Sequence, residues 1–429
     1  MRTTQIHRIN NLPEFRKKLL QWAQQHEEVL WLDSNAYPDK YSSFDAVLAV
    51  EAFTAIQTDY RGAFDKLKEY QEITGDWIFG YLSYDLKNDT EDLTSENHDE
   101  LDFPDLYFFQ PKKLFLLKGD QLELRYLRMV EDEMVEDFRS IQEVSINESP
   151  VTSRGAAKVI PRIGKEEYLE KVRKLQDYIH RGDIYEANFC QEFYVEDLQL
   201  DPLETYHRLN SISFPPFAAL LKFSRHYLLS ASPERYLKKE GRDIISQPIK
   251  GTARRSEDPQ EDNRIAEDLA RDEKERSENI MIVDLVRNDL SRTAAKGSVE
   301  VEELCGVYSF RQVHQLISTL KSTLAEGIPA VEVLRTTFPM GSMTGAPKIS
   351  AMKIIEELEE SKRGLYSGAL GYFTPEGDFD FSVVIRSVLY NLQRKYASFS
   401  VGGAITSKSI PEKEYEECLL KARAMRESL

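Results

Sequence analysis

Residues 232–255 read SPERYLKKEGRDIISQPIKGTARR, and this stretch decides how the rest of the chain is understood. It sets a carboxylate, Glu234, and an amine, Lys250, sixteen residues apart, each close to a proline. Between them, Tyr236 to Ile245 has the pattern of two short strands, joined by Lys239-Glu240-Gly241-Arg242. A hairpin of that size brings its two ends together, which would leave Glu234 facing Lys250 across the open end. Taken alone, such a pair fits an ion pair at a sheet edge as well as it fits two reactive groups.

Composition narrows the classes. The chain has 429 residues, 41% hydrophobic and 30% charged, which describes a globular protein with ample core. Its net charge of −17 opposes nucleic acid and anionic membrane, and no apolar run reaches the ~20 residues of a membrane span. An acidic small molecule would also be repelled, unless a local cluster of cations or a metal received it. Met1 to Asn10 has no signal-peptide core. Cys190, Cys305 and Cys418 are odd in number and widely spaced, which points to a reducing cytoplasm without a disulfide framework or a zinc site.

Along the chain, Val29–Asp33, 44–50, 77–84 and 106–126 read as strands after a helix over 11–28. The composition turns to Ser, Asn, Thr, Gly and Pro around 143–163, so residues 1–145 and 160–429 are expected to be an N-terminal and a C-terminal region packed as one unit. In the second region, helices are expected over 165–181, 203–211, 259–286, 309–324, 331–335, 347–360 and 411–428. Strands are expected over 184–195, 219–223, 227–230, 299–303, 367–373, 379–390 and 396–401. Helices and strands mix without regular βαβ alternation, so the fold class is α+β.

Several groups can carry chemistry. Glu275 and Glu278 share a face of the long helix, and Glu414 and Glu417 a face of the last helix, with Lys421 one turn on. Carboxylates from two helices meeting in a cleft must be protonated or hold a cation. Oxygen donors without neighbouring Cys or His point to Mg²⁺. The loop 338–350, FPMGSMTGAPKIS, leads through Pro347 into a helix and offers backbone amides to an anion, though it lacks the P-loop spacing. Arg386 lies among Val383, Val384, Ile385 and Val388, where a charge needs a partner or a ligand. Gly402 and Gly403 end a strand where backbone can approach a bound molecule. His314 is read on a helix beside Leu316 and Ile317, a setting that also fits a satisfied core histidine.

These motifs together resemble the chorismate-utilising family, which includes anthranilate synthase component I, aminodeoxychorismate synthase component I, isochorismate synthases and salicylate synthases. The matching runs are SPERY, PIKGTARR, DEKERSENIMIVDLVRND, FPMGSMTGAPK, SGALGYF, VVIRS, GGA and EYEECLLKA, in the family's order. WLDSNAY, FDAVLAVE and GDWIFGYLSYDL resemble its N-terminal region. The resemblance implies a large two-sheet, sandwich-like core flanked by helices, as in anthranilate synthase component I. It further implies chorismate as substrate and Mg²⁺ held by Glu278 and Glu417, supported by Glu275 and Glu414. Glu234 would be the general acid on the C4 hydroxyl and Lys250 the nucleophile at C2, with ammonia then adding at C4. Gly251, Thr252, His314, Thr344, Gly345, Tyr372, Arg386, Gly402, Gly403 and Lys421 would contact substrate. Desolvation or a cation such as Arg254 would help Lys250 lose its proton.

Lysine at 250, where anthranilate synthases usually have alanine, is similar to the aminodeoxychorismate synthase branch. The resemblance then implies 4-amino-4-deoxychorismate, a precursor of 4-aminobenzoate and folate, with anthranilate synthesis as the alternative. The chain has no glutaminase segment, so a separate glutamine amidotransferase subunit would supply ammonia. The run IYEANFCQ departs from the family's usual Gln-Val-Asn-Leu-Ser-like run and brings in Glu186, whose role is open. It has no lysine base of the isochorismate synthase kind. In the family the N-terminal half can hold tryptophan, and Asp33 and Ser34 sit where that pocket would begin.

Overall fold

The computed structural model describes residues 1–146 and 157–429. Part of the expected boundary, residues 147–156, lies outside the described residues. The chain is a mixture of helix and sheet, and among the described residues twenty strands join one hydrogen-bonded network.

Strand Leu106–Lys118 is where that network divides. One of its edges pairs with Ala46–Thr58; the other pairs first with Ile78–Leu82 and then with Gln121–Leu127. One arm leaves through Ala46–Thr58 to Val29–Asp33, Phe217–Phe223, His226–Ser232, Ser387–Asn391, Tyr396–Ile405 and Glu186–Val195. The other leaves through Ile78–Leu82 to Ala369–Phe373, Phe379–Val383, Arg235–Glu240, Asp243–Ser246 and Val313–Thr323, which also carries Ile249–Arg254 and Glu300–Ser309. Strands from before and after residue 147 therefore pair directly in both arms. The main core joins them too: Phe79, Phe108, Leu221, Phe373 and Phe381 belong to one buried cluster.

The chain passes between the arms at two places that matter. Pro233 and Glu234 link His226–Ser232 to Arg235–Glu240, and Val384 to Arg386 link Phe379–Val383 to Ser387–Asn391. The two crossings are tied together. The Val383 amide donates to the Glu234 carbonyl at 3.0 Å, and the Ala231 amide to the Arg386 carbonyl at 3.1 Å. Glu234 and Arg386 thus leave the backbone where the chain crosses from one arm of the network to the other.

The hairpin forms as expected, over Arg235–Glu240 and Asp243–Ser246, with Gly241 at φ +59° in its turn. Helices Lys165–Arg181 and Pro411–Ser428 match their expected bounds. Other expectations are corrected. The expected helix over 309–324 is strand Val313–Thr323, so His314 is on a strand. The expected helix over 259–286 is two helices, Pro259–Arg271 and Glu273–Ser291, divided at Asp272, which caps the second by accepting from the Glu275 amide at 2.9 Å. Arg386 is in no strand but at a bend with φ +53°. Strand Tyr396–Ile405 runs on through Gly402 and Gly403 instead of ending there. Strand Arg2–Arg8 and helices Ala63–Thr74 and Met134–Glu143 have no counterpart in the sequence reading.

Gly402 is required by a close approach. A Cβ there would lie 2.3 Å from Cys190 Sγ and 2.8 Å from the Phe189 carbonyl oxygen on the paired strand. Gly402→Ala is expected to cost ~1–3 kcal/mol by overpacking, read as a lower denaturant midpoint; an unchanged midpoint would show that the two strands can part freely.

Candidate active site

The open end of the hairpin does hold Glu234 and Lys250 close enough for their charges to act on one another, but Lys250 does not ion-pair with Glu234. Its Nζ donates to Glu186 Oε1 at 2.9 Å, with side-chain exposures of 11% and 1%. The backbone beside it is fixed from the long helix: Asn279 Nδ2 donates to the carbonyls of Lys250 at 3.4 Å and Leu316 at 3.2 Å. Burial alone would push the Lys250 ammonium down, but Glu186, Glu278 and Glu234 overcome it and the pKa is raised. The expected help from Arg254 is absent, because its exposed guanidinium pairs with Glu261 at 3.2 Å.

Glu234 is buried, and burial pushes its carboxyl up to about 7 against the pull of Lys250. It lines a small cavity with Gly341 and Ser342 of the glycine-rich loop and with Val286 and Asp289 of helix Glu273–Ser291. That loop is held against the Glu186 strand. Gly345 and Ala346 pair with Ala187 and Glu186, and the Asn188 amide donates to the Thr344 carbonyl at 2.7 Å. A Cβ on Gly345 would lie 2.2 Å from the Glu186 carbonyl oxygen, so the position demands glycine. Arg363 completes the clamp, donating to the Met343 and Asn188 carbonyls at 2.7 Å each while paired with buried Glu359.

The four helix carboxylates converge. A Cβ on Gly403 would lie 3.5 Å from Glu414 Oε2 and 4.0 Å from Glu417 Oε1, and one on Gly251 would lie 3.2 Å from Glu275 Oε2. Glu275 and Glu417 repel across the cleft, and burial together with that repulsion raises Glu275. Burial also pushes Glu278 up to about 7, and its Oε1 is buried without a hydrogen bond. Lys274 stands 3.7 Å from Glu278, and Lys421 bridges Glu417 at 2.7 Å and the Gly402 carbonyl at 2.9 Å. Arg386 feels the Glu417 charge, yet among the described residues its guanidinium has no hydrogen-bond or ion-pair partner. Among the described residues, no three His, Cys, Asp or Glu side chains are gathered tightly enough to enclose a metal ion.

Two expected substrate contacts lie elsewhere. His314 is buried between Asp262, 2.9 Å from Nε2, and Ser309, 2.8 Å from Nδ1, as a satisfied core histidine. Tyr372 lines a different cavity with Asp33, Ser34, Tyr37, Phe44 and Arg235, and packs on Trp77 and Phe79. Thr252 follows Lys250 and Gly251 on the same strand and pairs with Gln315. Asn279, Lys274 and Arg363 were not singled out from the sequence. Only Asn279, a polar residue where the helix turns apolar, carried a readable signal there.

A buried acid, a buried amine, a glycine-rich loop and helix carboxylates gathered beside them describe an enzyme centre. The chorismate binding enzyme family matches residues 27–427, and the chain belongs to that family. It is 36% identical over 354 residues to anthranilate synthase component 1 of Thermus thermophilus, covering 81% of this chain and 76% of that protein. It is 42% identical over 265 residues to aminodeoxychorismate synthase component 1 of Escherichia coli, covering 62% of this chain and 58% of that one. The crystal structure of anthranilate synthase component I from Streptococcus pneumoniae superposes with a TM-score of 0.78 at 27% identity, covering 91% of this chain and 93% of that one. Among the described residues no helix is long and apolar enough to cross a membrane.

Proposed function

We propose that the chain aminates chorismate at C4 with ammonia, forming 4-amino-4-deoxychorismate on the way to 4-aminobenzoate and folate. The observation that carries this reading is Lys250, a buried amine at the open end of the hairpin, with Glu234 and Glu186 acting on it. Anthranilate synthesis is the second reading, favoured by the likeness to the Thermus and Streptococcus proteins.

In the proposed reaction, Glu234 keeps its proton near neutral pH because it is buried, and gives it to the departing C4 hydroxyl. Lys250 attacks C2, and ammonia then adds at C4 and displaces it. Arg386, Lys421 and the amides of the glycine-rich loop receive the two carboxylates of the substrate. Acids outnumber cations in the cleft, so a dianion needs a further positive charge. Mg²⁺ fits the all-oxygen donor set and the Glu278 oxygen that accepts no hydrogen bond, and one or two carboxylates suffice when substrate and water complete the shell. Glu278 and Glu417 would hold the ion, with Glu275 and Glu414 beside them, and it would neutralise a substrate carboxylate. A glutamine amidotransferase subunit would supply the ammonia, in the cytoplasm. The two arms of the sheet are read as the leaves of a sandwich, and residues 1–145 and 160–429 as its two sequence regions.

The test is the purified chain with chorismate, Mg²⁺ and ammonium. Amination predicts aminodeoxychorismate without pyruvate. Fluorescent anthranilate and pyruvate, formed without an added lyase, would establish the second reading instead.

A further inference from the structure

We infer that Glu186 is the positioning residue that accepts the proton of Lys250 when Lys250 attacks. The inference rests on the amination reading. An ammonium has no lone pair, so before it can attack carbon its proton must move to a base already in contact. Lys250 has one direct ion-pair partner among the described residues, Glu186 at 2.9 Å. Glu234 is unsuited, because the same step requires it to deliver a proton. Of the helix glutamates, Glu278 acts on Lys250 through its charge without pairing with it, while Glu275 lies beside Gly251 and Glu414 and Glu417 beside Gly403.

The geometry of Glu186 is that of a reactant as much as of a brace. Its carboxylate is almost wholly buried, and one oxygen is filled by Lys250. The other, Oε2, is buried with no hydrogen bond. A buried ion pair with an unsatisfied oxygen is a poor device for stability, because desolvation offsets its attraction. Its backbone, however, is held firmly. Glu186 pairs with Ala346, the flanking Tyr185 amide donates to the Ala346 carbonyl at 2.7 Å, and Gly345 allows the loop to lie directly against it. The base is thus fixed to the loop proposed to cradle the substrate.

The step balances. A proton passes from Lys250 Nζ to Glu186, and the freed electron pair forms the C2–N bond. The two ring double bonds each shift by one position, the C4–O bond breaks, and the oxygen leaves as water with the proton of Glu234. In the second half, ammonia forms the C4–N bond and gives its surplus proton to Glu234, the double bonds shift back, the C2–N bond breaks, and Lys250 departs with the proton returned by Glu186.

The experiment measures the Lys250 adduct by quenched mass spectrometry, using chorismate and Mg²⁺ without ammonia, beside steady-state kinetics. Glu186→Gln is expected to slow adduct formation by about 10²-fold at neutral pH. KM should stay within about threefold, and the deficit should shrink as alkaline solvent removes the proton instead. Glu186→Asp, which keeps a carboxylate should Gln unsettle the fold, is expected to recover most of the rate. A Glu186→Gln rate equal to or above wild type would show that Glu186 only holds Lys250 charged, and would overturn the inference. So would a deficit independent of pH, or a Glu186→Asp variant as slow as Gln. Absence of the adduct in the wild-type enzyme would overturn the amination mechanism itself, a separate result.

Discussion

Lys250→Ala is expected to remove the covalent adduct and to lower ammonia-dependent turnover by about 10³-fold or more, because the nucleophile and its acid act as one unit. The variant also leaves Glu186 as a buried charge without a partner, a loss of about 3–5 kcal/mol in comparable sites. Activity alone would therefore confound chemistry with stability. The double variant Lys250→Ala, Glu186→Gln removes the stranded charge and is expected to regain most of the denaturant midpoint while staying inactive. Full ammonia-dependent activity in Lys250→Ala would end the covalent role.

Glu234→Gln is expected to lower kcat by about 10²–10⁴-fold with little change in KM, the range for loss of a general acid. The pH profile supplies the sign. Burial raises the Glu234 carboxyl from 4.5 to about 7, so the acid is armed below that pH and is lost as pH rises through it. Wild-type activity should therefore fall on the alkaline side of about 7, and the variant should lose that limb. Glu278, also near 7, remains in the variant and would keep the limb if it were the group responsible. Stability has the matching sign. The buried charge of Glu234 weighs on the fold only as pH rises from 4.5 through about 7, so the neutral glutamine should be the more stable form above that range. A midpoint that does not diverge from wild type with rising pH would contradict the assigned burial.

The helix Lys165–Arg181 was legible because its buried residues recur at helical spacing on one face, and Gly182 marks its end with φ +86°. Val29–Asp33, buried on both faces, was legible only as a short apolar run of strand length. Val313–Thr323 misled because nearly every residue in it is buried, from neighbours on both edges and cover on both faces. Its apolar spacing then has no period of two, and a buried strand cannot be told from a helix. The break at Asp272 had a local signal, an aspartate three residues before Glu275, lost inside an all-polar run.

The sequence by itself determined the hairpin, the identity of its acid and amine, the two carboxylate pairs and the glycine-rich loop, because each is set by local spacing. The order of those runs also carried the family. Which groups meet was a matter of tertiary structure alone. Glu186 lies sixty-four residues before Lys250 and reaches it only because strand Glu186–Val195 is pinned to the loop at 345–346. His314 and Tyr372 carried suitable chemistry but point into other surroundings, which no local pattern records. The opening pair of Glu234 and Lys250 is thus a trio. The sequence supplied acid and amine, and long-range strand pairing supplied the carboxylate that holds the amine between them.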